Sequence, residues 1–147
     1  MKEFKGRVIN GGDYKGEAVV SRQGVNTLAT FQKSALANAK QVIVADQNNP
    51  DIFEKNITGK ALCLPQTIGS TTGGLILFCA CDMRRNPACM LFANHIDSLA
   101  AAGAVIADVW VDGVSMPVID SLGDEFLNYV KDGMKITIKA DGIVEVE

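Results

Sequence analysis

Residues 60–85 read KALCLPQTIGSTTGGLILFCACDMRR, and the way this stretch is parsed decides the fold. The short apolar run at 61–64 predicts a strand, stopped by Pro65, which removes a backbone donor and holds the residue before it extended. Residues 66–74 are small or hydroxylated and predict a tight turn. The mostly apolar run at 75–83, ended by Arg84 and Arg85, predicts a helix. A strand, a glycine-and-hydroxyl turn and a helix in that order leave free N–H groups at the helix start, aimed at whatever occupies the turn. Ser70, Thr71 and Thr72 stand where those groups converge, with Gly69 and Gly73 on either side to permit close approach. The turn is neither a Walker loop nor the dinucleotide-binding glycine pattern. Physically it suits an anion site, and it equally suits a plain strand-to-helix bend that needs small residues.

On the N-terminal side, residues 4–9 and 17–21 predict two strands joined by the turn Asn10-Gly11-Gly12-Asp13. Residues 24–29 predict a loop and 31–39 a weak helix. QVIVA at 41–45 is β-branched and short, which predicts a buried strand. Asp46 at its end is a candidate site residue, or the cap of the polar turn that follows. On the C-terminal side, 88–93 predicts another buried strand. Asn94 then caps a helix over 95–102 that Gly103 closes, and 104–109 forms the next strand. Residues 116–119 predict a strand and 124–130 a short amphipathic helix. KITIKA and IVEVE alternate around Asp141-Gly142 as a terminal hairpin. Short buried strands alternating with helices predict a parallel or mixed sheet, with antiparallel hairpins flanking it. The expectation is a single α/β domain spanning 1–147.

At 48% apolar and 21% charged, the 147 residues are globular in composition and enough to bury a core. A net charge of −3 argues against nucleic acid or an anionic membrane as partner, since both need a basic face. The first residues lack an apolar signal segment, and no run is long enough for a membrane span, so the expected setting is cytoplasmic. Cys63, Cys79, Cys81 and Cys89 show no C-x-x-C spacing and lie within apolar patterns, which predicts buried reduced thiols. This chain is therefore expected to bind no metal of its own. His95, the single histidine, follows the Asn94 cap, where a polar residue is ordinary, although its titration range would suit acid–base work. Trp110 suits either a subunit contact or the core.

Pro65 with Gly69-Ser70-Thr71-Thr72-Gly73, preceded by Gly59-Lys60-Ala61-Leu62, resembles the small subunit of the aconitase X family, whose members include phosphomevalonate dehydratase and cis-3-hydroxy-L-proline dehydratase. The likeness continues through Asn86-Pro87-Ala88, Ala101-Ala102-Gly103-Ala104-Val105-Ile106 and Met116-Pro117-Val118. The resemblance implies a swivelling β/β/α domain. It implies a separate large subunit with an iron–sulfur cluster or related metal, and an active site between the two. It also implies a hydro-lyase that dehydrates a small anionic hydroxy acid, with Ser70 as the base and Gly69, Thr71, Thr72 and Gly73 around the substrate. Many members carry Gly-Arg-Gly-Ser-Thr. Here Thr67-Ile68-Gly69-Ser70-Thr71 lacks that arginine, and 24–31 lacks the usual Ser-Phe-Trp-Gly-Gly. Arg84 and Arg85 lie about 10 helical residues, roughly 15 Å, beyond the turn. The competing reading, from a different class, is a non-catalytic anion-binding or assembly module built on the same turn.

Overall fold

The computed structural model describes residues 2–36, 41–68, 73–113 and 116–147. In chain order the elements are β1 (Lys2–Lys5), β2 (Arg7–Asn10), β3 (Tyr14–Val20), β4 (Val25–Asn26), α1 (Thr27–Leu36), β5 (Ala61–Leu64), β6 (Thr67–Ile68), α2 (Gly73–Asp82), β7 (Cys89–Phe92), α3 (Ser98–Trp110), β8 (Val118–Asp120), α4 (Asp124–Tyr129), β9 (Lys135–Lys139) and β10 (Ile143–Val146). Eight strands form one mixed sheet in the order β1-β10-β9-β3-β5-β7-β8-β2, and β4 pairs with β6 in a separate two-stranded ribbon. The centre, β3-β5-β7-β8, is parallel. Both flanks are antiparallel.

β1 and β2 stand at opposite ends of that order, yet only Gly6 separates them in the chain. The sheet must therefore curl until its two ends meet. Gly6 sits at the junction, its N–H donating to the Gly142 carbonyl at 3.0 Å. A side chain there would run into the Asp120 carbonyl and the Ile119 and Leu122 side chains, so the corner needs glycine.

β5 and β7 are buried on both faces, which is why they read as unbroken apolar runs rather than alternating ones. Alternation still sorts their residues. Leu62, Leu64, Met90 and Phe92 face the helices, in a core with Phe31, Leu77 and Ala104. Ala61, Cys63, Cys89 and Leu91 face the inside of the curl, with Phe4, Phe126, Ile136 and Val144. α2 and α3 pack together at their glycines. A side chain on Gly74 would strike the Leu99 carbonyl, and one on Gly103 the Gly74 carbonyl.

The strands at 61–64, 88–93 and 116–119, the helices at 75–83 and 124–130 and the terminal hairpin all form where expected, to within a few residues. The N-terminal hairpin does not. β2 pairs with β8 and β3 with β9 and β5, because closing the curl draws the two strands to different neighbours. Val42 and Val44 are buried as expected, but 41–45 makes only one bridge, Ile43 to Asn56, in place of a strand. The loop expected at 24–29 contains β4 and the start of α1, and α1 begins at Thr27 rather than 31. The largest correction is α3. Asp97, not Asn94, caps it, and Gly103 lies at its middle. The stretch expected as a strand at 104–109 is the second half of the same helix. Gly103 serves close helix contact rather than termination.

Candidate active site

Parallel strands β3, β5, β7 and β8 deliver their C-terminal ends to one edge, the favoured place for sites in α/β sheets. Backbone bonds tie the loops leaving that edge together. Asn94 N–H donates to the Pro65 carbonyl at 3.1 Å, and Ser121 N–H to the Asn94 carbonyl at 3.0 Å. Gly69, Ser70, Thr71 and Thr72 lie outside the described residues; Gly73 is described as the first residue of α2. Both ends of the glycine–serine–threonine turn are held. At the upstream end, Thr67 and Ile68 pair with Val25 and Asn26, and the Gln66 carbonyl accepts from Val25 N–H at 2.9 Å. At the downstream end, Thr27 Oγ1 donates to the Gly73 carbonyl at 3.4 Å.

Between those two ends lies a cavity of about 230 Å³ lined by Thr27, Thr67, Ile68, Gly73, Asp97, Leu99 and Ala100. Three helices begin at its wall: Thr27 opens α1, Gly73 opens α2, and Leu99 and Ala100 are in the first turn of α3. Two of the three starts are capped from within the described chain. Asn26 Oδ1 accepts Ala29 N–H at 3.1 Å, and Asp97 Oδ2 accepts Ala100 N–H at 2.9 Å, while Thr67 Oγ1 donates to the other Asp97 oxygen. Both oxygens of Asp97 are thus engaged by donors. α1 and α2 have no acidic residue in their first turns, so their positive dipole ends reach the cavity without a carboxylate of their own to offset them.

The remaining candidates fall away from this cavity. Arg84 donates to the Asp112 carbonyl at 2.5 Å and Arg85 to the Met83 carbonyl at 2.9 Å, both at the opposite end of α2. Asp46 is buried and its carboxylate accepts Asn48 N–H at 3.0 Å, which is the turn-capping reading. His95 is exposed and turned toward β8, with Nδ1 3.2 Å from Ser121 Oγ and 4.0 Å from Asp120 Oδ2. Trp110 is 74% exposed, so it takes no part in the core.

Four polar residues fall outside the candidate set, although Thr27 belongs to the small polar loop at 24–29, of a kind that borders sites or merely connects. Thr27, Thr67 and Asp97 line the cavity; Asn26-Thr27 ahead of a helix and Asp97 three residues before Ala100 are capping patterns that could have flagged two of them. Asp120 is the other. It is fully buried, accepts from Arg7 at 2.9 and 2.6 Å and from Ile96 N–H at 2.8 Å, and has Ser121 Oγ at 3.2 Å. Burial by itself would raise its carboxyl; the hydrogen bonds and the Arg7 charge outweigh that and hold it below the usual carboxylate range.

Cys63, Cys81 and Cys89 are buried on different elements, as expected, whereas Cys79 is exposed on α2. Burial pushes the Cys81 thiol up to about 12 and those of Cys63 and Cys89 well above the usual range. Thiols so biased toward the protonated form are poor metal ligands. Among the described residues no group of three or more His, Cys, Asp or Glu side chains could hold a metal ion, so these residues do not fit an iron–sulfur cluster. Among the same residues no helix is long and apolar enough to cross a membrane.

The chain is similar over nearly its whole length to known proteins. Phosphomevalonate dehydratase small subunit of Thermococcus onnurineus is 30% identical over 146 residues, covering 99% of this chain and 98% of the relative. The protein of the same name from Thermococcus kodakarensis is 31% identical, covering 98% and 96%. The crystal structure of Thermococcus kodakaraensis aconitase X in its holo-form superposes with a TM-score of 0.81 at 29% identity, covering 100% of this chain and 99% of that one. The aconitase X swivel domain family matches residues 3–146, and the chain belongs to that family.

Proposed function

We propose that this chain is the swivelling small subunit of a heteromeric, cytoplasmic hydro-lyase that removes water from a small anionic hydroxy acid, 5-phosphomevalonate or a cis-3-hydroxy-L-proline-like acid. The relatives named phosphomevalonate dehydratase small subunit favour the phosphorylated substrate. Ser70 is the general base, and Gly69, Thr71, Thr72 and Gly73 hold the substrate's anionic group. The observation that carries this reading is the convergence of three helix starts on a cavity between the two fixed ends of the Ser70 turn.

The same geometry sets the limits of what the chain does alone. A helix start stabilises a nearby anion by about 0.3–2 kcal/mol, or roughly one pKa unit. A serine hydroxyl needs far more than that to act as a base near neutral pH. The rest comes from donors or cations of a partner in a closed, water-poor site. The cavity volume points the same way. At about 230 Å³ it falls below the ~300–1,000 Å³ of complete small-molecule sites and suits one wall of a shared one. The large subunit supplies the other wall, the iron–sulfur cluster or related metal, and the cation that the missing arginine of the turn would have provided.

Reconstitution with the large subunit tests the assignment. Ser70→Ala lowers kcat by about 10²–10⁴-fold with either acid as substrate, while the complex still assembles. Turnover unchanged by Ser70→Ala would remove the serine as base and leave an anion-binding module. The purified small chain by itself shows no dehydration.

A further inference from the structure

α3 reads SLAAAGAVIADVW and contains one charged residue in thirteen. Its buried side carries Ala100, Gly103, Ala104 and Ala107. The opposite side is apolar as well. Leu99, Val105, Ile106, Val109 and Trp110 are exposed, and Leu75 is exposed on the neighbouring α2. Leu99, Ala102, Ile106 and Val109 recur at spacings of three, four and three, the spacing of a seam made to meet another surface. Helices of ordinary domains turn a polar face outward. Large apolar side chains exposed together on one flank, unlike singly scattered ones, mark a surface made to be covered.

Two observations say what covers this face. Leu99 belongs both to the face and to the wall of the candidate cavity, so a body that closes the cavity also overlies the top of the stripe. The exposed charges carried by the two helices themselves, Asp82 on α2 and Asp108 on α3, are acidic, while Arg84 beyond the end of α2 is engaged by the Asp112 carbonyl. A second copy of the same face would bring like charges together, whereas an apolar surface rimmed with lysine or arginine would pair with them. We propose that the outer face of α2 and α3, from Leu75 and Leu99 down to Trp110, is the docking surface for the large subunit, which meets it with an apolar patch bordered by basic residues. The inference rests on the split-site reading above and extends it from the cavity to the flank of the molecule.

Trp110 is the only tryptophan in the chain, so it reports on this face alone. With 5-fluorotryptophan incorporated into this chain only, adding the unlabelled large subunit moves the fluorine resonance and abolishes its H₂O/D₂O solvent shift. Val109→Glu and Trp110→Glu each weaken the complex by about 30-fold or more, measured by sedimentation, with the melting temperature of the isolated chain unchanged. A complex that forms while Trp110 keeps its solvent shift overturns the proposal, whether or not the glutamate variants fold. So does an isolated chain that sediments as a dimer which Val109→Glu dissociates. No complex at all with the wild-type chain overturns both this face and the split-site reading. Protected Trp110 together with turnover unaffected by Ser70→Ala removes only the serine assignment and leaves the face standing.

Discussion

The curl of the sheet and its helical layer bury similar numbers of large side chains but are finished differently on the outside. Within the curl, Phe126 packs edge-on to Phe4 with ring centres 5.3 Å apart, and Ile136, Ile138, Val144 and Val146 are sealed beside them. The rim outside is polar, with ion pairs Lys2–Glu125, Lys139–Glu145 and Lys60–Glu17. In the helical layer the inner side is equally tight, close enough for glycine to face backbone, while the outer side presents Leu75, Val109 and Trp110 to solvent. One half is complete by itself. The other leaves apolar side chains uncovered, and it is the half that holds the candidate site.

The largest effect that would break this contrast is a cavity in the curl. Phe126→Ala should cost about 3–5 kcal/mol, read as a drop in the urea midpoint at unchanged slope. A loss below 1 kcal/mol would mean that the curl is not the stabilising half. Next comes Asp120, whose carboxyl is held low in the folded protein. Its contribution is fully present above the unfolded carboxyl pKa of about 3.9 and is lost as pH falls through the lower folded value. Asp120→Asn should cost about 1–3 kcal/mol near pH 7 and flatten the acid limb of the stability-versus-pH curve. An acid limb that keeps its slope in the variant would place the titrating group elsewhere. The smallest effect belongs to the outer helical face. Val109→Ser should move the stability of the isolated chain by no more than about 0.5 kcal/mol while raising its solubility. A large loss would show that this face is packed within the chain after all.

The parts of the fold that could be anticipated are those in which local pattern and final environment agree. Ala61 to Leu64 and Cys89 to Phe92 are apolar on both faces and buried on both faces; Asp141-Gly142 turns a hairpin whose strands pair with each other. The misreadings arise where a long-range partner overrides a local signal. Asn10-Gly11-Gly12-Asp13 is a strong hairpin turn, yet the strands on either side are claimed by β8 and β9. Gly103 has the look of a helix stop, but its missing side chain is what lets Gly74 approach. For the site, sequence places Ser70 and its neighbours on one turn, whereas the described cavity depends on Thr27 at the start of α1, Thr67 in β6 and Asp97 at the cap of α3, which only the fold brings together. The Arg7–Asp120 pair joins residues 113 positions apart and has no local signature at all.

The Gly6 corner also bears on how a second polypeptide could attach. Because the chain turns there from one margin of the β structure to the other, each margin ends in a strand of only four residues, bearing Lys2 and Lys5 on one and Arg7 on the other. Such brief, charged borders are poor templates for a visiting strand, which disfavours β-augmentation along the margins of the eight-stranded sheet. Contacts made at these margins then run through side chains, which can change by surface substitution while the backbone scaffold stays as it is.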